Sequence, residues 1–245
     1  MNATRHLAFV GVLLLLICGT FAQVPTGAAL DYLMASLQSG EPARIQEAVD
    51  GLSRSGSAVV PPVAAQLENR QPAVRIGAAQ ILGNIADVSS VEPLVSVLTT
   101  DTDKHVRIAA AKALGHIKDP RTVNALIYAA RSDEPDIDIR EAALLALGEQ
   151  GSSEAVYFLV RTLRLDFDPN VVDAASVALE QLTGEHFGAD HRQWMQWIKE
   201  KHPEWLNDVM EGKPNYALMA MIILIVVSFC GLSVYMAISK LRARQ

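Results

Sequence analysis

The chain has 245 residues, of which 50% are hydrophobic, and a formal net charge of −6 at pH 7. Residues 23–214 carry 17 Lys and Arg against 27 Asp and Glu, a net charge of about −10, which argues against nucleic acid or anionic lipid as a partner for this part as a whole. The two cysteines, Cys18 and Cys230, lie in the two most apolar segments of the sequence. The part between them can therefore form no internal disulfide.

Residues 1–22 have the pattern of a secretory signal peptide. A short polar start with Arg5 precedes an apolar run that ends at Cys18, and small residues follow at Thr20 and Ala22. This order predicts cleavage after Ala22. The apolar run is too short to favour a permanent span, and a retained anchor is the alternative. A lipoprotein site at Cys18 is disfavoured because bulky Ile17 stands where a small residue belongs.

Residues 23–40 are expected to form an N-terminal capping helix. Ala28 to Leu37 have an amphipathic helical pattern that ends at Gly40. Further on, Gly56 in a Ser-Gly-Ser turn can adopt a positive φ. Pro61 and Pro62 are then expected in the first turn of the next helix, where a missing N–H is tolerated.

An Ala-rich helical segment occurs four times in the middle of the chain. The copies begin at Val74, Val106, Ile139 and Val171, at spacings of 32, 33 and 32 residues. A second apolar helical pattern follows each of the first three copies, so both helices repeat in register. A helical period of this length predicts an all-α solenoid, which presents surface for binding rather than a catalytic cleft. Glycines recur at positions 83, 115 and 148, and each indicates either a tight helix crossing or the approach to a helix end.

The repeated core V-R-x-x-A-A-x-x-L-G resembles HEAT-like repeats of the phycobilisome lyase type, over residues 41–183. The resemblance implies a solenoid of about five helix pairs. It also implies a polar ladder between units, since each repeat arginine is preceded six residues earlier by a polar residue. The ladder candidates are Asn69, Arg75, Asp101, Arg107, Glu134 and Arg140. The last copy keeps Asp166 but has Val172 in place of the arginine, so the ladder is expected to end there.

Residues 184–214 are expected to form a C-terminal cap and a juxtamembrane segment. The stretch from Thr183 resembles the T-G-x-x-F-G-x-D-x-x-x-W-x-x-W ending of many bacterial HEAT-like proteins. Asp190 is the expected N-cap of a helix that carries Trp194 and Trp197 on one face. Two interpretations follow: an aromatic lid on the last repeat, or a stacking platform for a sugar or another ligand.

Residues 215–239 are uncharged and almost wholly apolar, long enough to cross a bilayer core of about 30 Å. Three basic residues, Lys240, Arg242 and Arg244, follow directly in the tail 240–245. The positive-inside rule therefore places the C-terminus in the cytoplasm and the repeats outside it. A tail-anchored cytosolic protein is the rival topology, but it leaves the N-terminal signal unexplained.

The sequence shows no catalytic motif, and we predict no catalytic residue, cofactor or metal site. It contains no phosphate loop, H-E-x-x-H or G-x-S-x-G pattern. The weak metal candidates are Glu185, His186, Asp190 and His191, in which the histidine spacing is not a standard ligand spacing. The acidic stretch 133–138 lacks the central glycine and closing glutamate of a calcium loop, and is expected to be a helix-capping loop.

The resemblance implies that the second helix of each unit lines the concave side, with a ridge of side chains exposed there. On this ridge tyrosine and arginine, the types enriched at binding hot spots, gather toward the last units; an ordinary solvated helix face is the alternative. The candidates are Tyr128, Tyr157, Arg131, Arg161 and Arg164.

These patterns predict a membrane-tethered, non-catalytic scaffold for protein partners outside the cytoplasm, in the periplasm or at the cell surface if the source is bacterial. The alternative is an accessory or ligand- and metal-binding subunit of an envelope enzyme or complex that uses the His/Trp cap. The resemblance also suggests a bilin lyase. That activity is not predicted, because it is cytoplasmic and because a repeat core says only that helices stack.

Overall fold

The computed structural model describes residues 27–131 and 133–210, with side chains described as far as residue 206. The predicted signal peptide, the predicted span 215–239, the tail 240–245 and the end of the segment 184–214 lie outside the described residues. No helix within the described part combines the length and apolarity needed to cross a bilayer.

All regular secondary structure in the described residues is helical. The α-helices are α1 (Gly27–Gln38), α2 (Pro42–Ser53), α3 (Val60–Ala64), α4 (Pro72–Ile85), α5 (Val91–Thr100), α6 (Lys104–His116), α7 (Pro120–Ala129), α8 (Ile137–Gly148), α9 (Ser153–Leu165), α10 (Pro169–Thr183), α11 (His191–Lys201) and α12 (Pro203–Met210). The chain divides into two compact units, residues 1–191 and 192–245, which are described separately.

The first unit is an array of helix pairs, and its helices follow the repeat seen in the sequence. The Ala-rich segments form α4, α6, α8 and α10, and the second apolar segments form α5, α7 and α9. Each second helix packs most extensively on the Ala-rich helix that follows it, not on the one that precedes it. The structural pairs are therefore α5–α6, α7–α8 and α9–α10, preceded by α1–α2 and by short α3 with α4. This gives five pairs. In the sequence pattern each Ala-rich helix comes first in its unit, whereas in the structure it is the second helix of its pair.

The core lies between the two rows of helices. Its most regular members are the first residue of each Ala-rich copy and the leucine eight positions later, all of them fully buried. These residues are Val74, Val106, Ile139 and Val171, with Leu82, Leu114, Leu147 and Leu179. Burying the same two positions in every unit removes one continuous apolar stripe from water, which stabilises the stack.

The glycines at positions 83, 115 and 148 mark tight helix crossings. A Cβ atom on Gly83 would lie 2.7 Å from the Cα of Ala113, and one on Gly148 would lie 2.8 Å from the Cα of Ala178. At Gly115 a Cβ would lie 3.0 Å from the Cβ of Ala146. Each Ala-rich helix therefore contacts the next one almost backbone to backbone, and each of these glycines also lies in the last turn of its helix, so both interpretations hold.

Short polar side chains begin the later helices. Asp103 accepts hydrogen bonds from two backbone N–H groups at the start of α6, and Asp168 does the same at the start of α10. Asp119, Asp136 and Ser152 cap α7, α8 and α9, and each accepts a hydrogen bond from one backbone N–H group. In the earlier unit α3 starts at Val60, so Pro61 and Pro62 lie in its first turn as expected, between two 3₁₀ segments. These caps satisfy donors that the first helical turn leaves without partners.

Candidate binding surface

The polar ladder joins each unit to the next one. The Arg75 guanidinium donates two hydrogen bonds to Asp101, at 2.7 and 2.8 Å. Arg107 pairs with Glu134, and Arg140 pairs with Asp166. The side chain of each ladder arginine thus pairs with the carboxylate 26 or 27 residues later, not with the side chain six positions earlier. Both partners in each pair are largely buried.

Asn69 has a different role from the other ladder candidates. Its backbone carbonyl accepts a hydrogen bond from Arg75 Nη1 at 2.9 Å, and its side-chain oxygen accepts one from the N–H of Gln71. Asp101, Glu134 and Asp166 accept the equivalent turn hydrogen bond through a carboxylate, which also binds an arginine.

Burial and ion pairing shift the pKa of Asp101 in opposite directions. Burial raises the pKa of its carboxyl, but the hydrogen bonds from Arg75 and from the Asp103 N–H, with the charges of Arg75 and Arg107, lower that pKa further than burial raises it. The net pKa of Asp101 lies below its ordinary value, and the pKa of Arg75 is raised, chiefly by its hydrogen bond to Asp101. The pair formed by Arg75 and Asp101 is therefore ionised at neutral pH.

The acidic stretch 133–138 is a capping and pairing loop, as expected. Glu134 belongs to the ladder, and Asp136 caps α8 through the N–H of Asp138. Asp138 lies 2.7 Å from the Lys104 ammonium, and Asp133 lies 3.2 Å from the Arg131 guanidinium. Each carboxylate of the stretch thus has a role within the array.

The predicted binding residues gather around a groove of about 390 Å³ between α7 and α9. Arg131 and Arg161 line it together with apolar side chains that include Phe158 and Leu165. The ring of Tyr128 is beside it and 60% exposed, with the Arg131 guanidinium carbon 6.0 Å from its centroid. Arg164 on α9 is exposed, and Tyr157 is half-buried. The structure thus places Arg131 and Arg161 in one groove with Tyr128 at its edge.

Phe167 is an exposed aromatic residue that the sequence reasoning missed. It lies in the loop between α9 and α10, and 98% of its surface is exposed. Leu165, two residues earlier, is 47% exposed and lines the groove. The turn sequence Asp-x-Asp could have indicated its exposure. The first acid of this turn binds the ladder arginine and the last acid caps the helix, so the middle residue faces solvent. An aromatic residue in that middle position is therefore expected to be exposed, as Phe167 is.

Comparison with known proteins agrees with this geometry. Residues 60–138 match the family model of HEAT repeats. The fold is a HEAT-like repeat array. A solved chain from the complex of CpcE and CpcF of phycocyanin lyase from Nostoc sp. PCC7120 is similar, with 24% identity and a TM-score of 0.56 over 62% of this chain and 98% of that one. An engineered protein matches with 22% identity and a TM-score of 0.42 over 78% of this chain and 90% of its own. No curated protein matches the chain.

The two rows of helices in this HEAT-like array differ in spacing. The Ala-rich helices meet backbone to backbone at their glycines, whereas α7 and α9 leave an open groove between them. The predicted binding residues lie on the more widely spaced row, on α9 and on or directly after α7. Their placement on a concave face and their role in binding stay predictions.

The second unit contains a cluster of aromatic rings on α11 and α12. Trp194 is fully buried, and its ring meets that of Trp197 edge to face at 6.1 Å. The sequence reasoning did not include His202 in this cluster: its ring stacks on Trp205 at 3.8 Å and lies 4.9 Å from Trp197. Helix α11 begins directly after Asp190, as an N-cap role at Asp190 requires. The covering of the last repeat by the two tryptophans stays a prediction.

The weak metal candidates form no recognisable ligand set in the part of the chain that the structure describes. Within those residues no group of three His, Cys, Asp or Glu side chains is placed to hold a metal ion. The exposed His186 lies instead 3.2 Å from a carboxylate oxygen of Glu180. That carboxylate also accepts a hydrogen bond from the N–H of Gly188, which ties the turn to the end of α10.

Proposed function

We propose that this protein is a membrane-tethered, non-catalytic scaffold that presents its HEAT-like array to a protein partner outside the cytoplasm. The observation that carries the proposal is the groove between α7 and α9, where arginine and aromatic side chains surround an apolar floor. The similar solved chain comes from a complex of two proteins, CpcE and CpcF, which supports a protein as the partner.

The groove differs in charge from the rest of the array. Arg161 and Arg164 project from α9, and neither has an ion-pair partner among the described residues. Among the described residues, the one carboxylate paired with Arg131 is the exposed Asp133, and the carboxylate that lines the groove, Asp166, is paired with Arg140. A partner segment with acidic and apolar side chains therefore fits this surface, since charge complementarity steers association and gives specificity.

The non-catalytic part of the proposal is supported by what the acidic residues do. In the three inter-repeat loops the first carboxylate binds a ladder arginine and the second caps a helix. Groups engaged in this manner stabilise the array and position its surface. The tether and the location rest on the sequence patterns at the two ends of the chain.

We expect Tyr128→Ala combined with Arg161→Glu to reduce partner recovery about tenfold or more. Truncating an aromatic hot spot and reversing a neighbouring charge each remove affinity without touching the buried core. The measurement is crosslinking in intact cells that express the full chain with a C-terminal affinity tag, followed by quantification of co-purified protein and circular dichroism of the variant.

A matched control lies at the other end of the array. Tyr32 is 50% exposed and Arg44 is exposed, so Tyr32→Ala with Arg44→Glu changes the same residue types away from the groove. Recovery should stay within about twofold of the wild type in this control. Unchanged recovery from a folded Tyr128/Arg161 variant contradicts the groove proposal.

The topology predicts that protease added to spheroplasts removes the repeat array. A tag at the C-terminus should survive as a short membrane-bound fragment until the membrane is opened with detergent, because the positive-inside rule places the tail in the cytoplasm. Immunoblotting for the tag measures this. A tag that is digested from outside, or an array that is protected in intact spheroplasts, contradicts the proposed topology.

The second candidate function, an accessory subunit that uses the His/Trp cap, is favoured by the stacking of His202 on Trp205 beside Trp197. Such a cluster of flat rings offers apolar faces to a ligand. Recovery of no protein partner, together with a small molecule retained by the purified chain and lost on changing His202 and Trp205, would favour this function over the scaffold.

A further inference from the structure

A second groove, of about 470 Å³, lies on the exposed side of the Ala-rich row and is formed by α2, α4 and α6. Its floor includes the half-buried isoleucines Ile76 and Ile108 and the small buried residues Ala109 and Ala113. Small side chains at the floor allow a second backbone to approach closely, and the isoleucines offer apolar surface to it. The groove is separate in its lining residues from the one between α7 and α9.

The ionisable residues that line this groove are all bases. They are His105, Lys112 and His116, which lie along one face of α6 at steps of seven and four residues. The described residues that line the groove include no carboxylate, and their other polar members are Gln46, Gln80 and Asn84. This local sign is opposite to that of residues 23–214, which carry 27 acidic against 17 basic side chains.

Lys112 is the central charge of the groove. It is exposed, and its ammonium group forms no salt bridge with any described carboxylate. The neighbouring lysine at the start of the helix, Lys104, is by contrast held by Asp138 at 2.7 Å. His116 has Glu149 at 3.6 Å from its Nε2 atom. An incoming carboxylate at Lys112 therefore displaces no partner within the array.

We infer that this groove binds an acidic, amphipathic helical segment of a protein partner, with its apolar face on Ile76 and Ile108 and a carboxylate at Lys112. The exposed run of α6 from His105 to His116 spans about three helical turns, which matches three turns of a partner helix. The carboxamides of Gln80 and Asn84 add hydrogen-bond donors along the rim. With the α7–α9 groove, the array then has two faces for two partners. The inference does not depend on the first face being occupied.

The test uses a rhodamine-labelled 18-residue amphipathic peptide with glutamates on one face and leucine and alanine on the other. Its binding to the full chain in detergent micelles is followed by fluorescence anisotropy. We expect Lys112→Glu to weaken binding at least tenfold, because it places like charges together in a partly desolvated groove. Lys118→Glu, which makes the same change in net charge at an exposed lysine outside the groove lining, should weaken binding less than twofold.

Four outcomes overturn the inference: no binding of the acidic peptide to the wild type, equal binding of a peptide with lysine in place of glutamate, unchanged binding by a folded Lys112→Glu variant, or equal losses at Lys112 and Lys118. If citrate displaces the labelled peptide at the same concentration as unlabelled peptide does, the groove is a site for small anions. This result also overturns the inference. The Tyr128/Arg161 double variant should bind the peptide normally. A loss there assigns the peptide to the α7–α9 groove, so failure of this inference is distinct from failure of the proposed function.

Discussion

Arg140→Ala is expected to lower the free energy of unfolding of the array by about 3–5 kcal/mol, the range typical of removing one partner from a buried ion pair. Only 9% of the Arg140 side chain and 10% of the Asp166 side chain are exposed, so the alanine variant leaves a carboxylate buried without its cation. The remaining hydrogen bond to Asp166, from the N–H of Asp168, offsets part of this loss. Thermal unfolding followed by circular dichroism should show a midpoint lower by about 10 °C.

Lys104→Ala is the control for this prediction. Lys104 pairs with Asp138 at 2.7 Å, but 45% and 57% of these side chains are exposed. Solvent screens an ion pair between exposed side chains, so the removal of this pair should change the unfolding midpoint very little. Arg140→Met with Asp166→Leu should recover much of the lost stability, because no charge is then left buried. Equal midpoints for Arg140→Ala and Lys104→Ala would contradict the assigned role of the ladder.

Gly83→Ala should destabilise the array by about 1–3 kcal/mol, the range for overpacking a close contact. Helix propensity alone predicts the opposite sign, since alanine is better than glycine by about 1 kcal/mol inside a helix. The added Cβ would lie 2.7 Å from the Cα of Ala113, and backbone atoms cannot move aside without separating α4 from α6. Urea unfolding of the full chain in micelles measures the size of the destabilisation. Hydrogen exchange shows where in the array the helices open.

Gly51→Ala distinguishes packing from propensity. Gly51 also lies inside a helix, but the three atoms nearest to a Cβ there belong to the side chain of Leu33: its methyl carbons at 2.7 and 2.8 Å and its Cγ at 3.3 Å. A flexible side chain can rotate away, so this variant should be neutral or slightly stabilised. If Gly83→Ala is also stabilised, the tight crossing between the Ala-rich helices is not a determinant of stability.

The helical repeat was readable from sequence because it depends on local periodicity. The positions of Val106 and Leu114 repeat in every copy, and the burial of both follows directly from the helical spacing. The turn chemistry was also local, as in the capping of α8 by Asp136 two residues from Asp138. Patterns of this kind involve residues less than one or two turns apart, where the chain itself determines which side chains meet.

The pairing of helices was not readable in the same manner. A strict repeat of two helices can be divided into units in two ways, and the sequence period is the same in both. The contact between α5 and α6, rather than between α4 and α5, became evident only from packing. The sequence period likewise does not show which row of helices is the more widely spaced one, on which Tyr128 and Arg131 lie.

The sequence by itself determined the helical fold class, the register of the repeat, and the residue types of the ladder, since these follow from periodicity and from the chemistry of turns. The tertiary structure decided that Arg75 meets Asp101, that Arg131 and Arg161 line one groove, and that Lys112 stands among bases. The physical reason is distance along the chain. Partners such as Arg75 and Asp101 are 26 residues apart. Which of them meet depends on the angle and spacing at which whole helices pack, and this is set by the sum of many small contacts rather than by any local pattern.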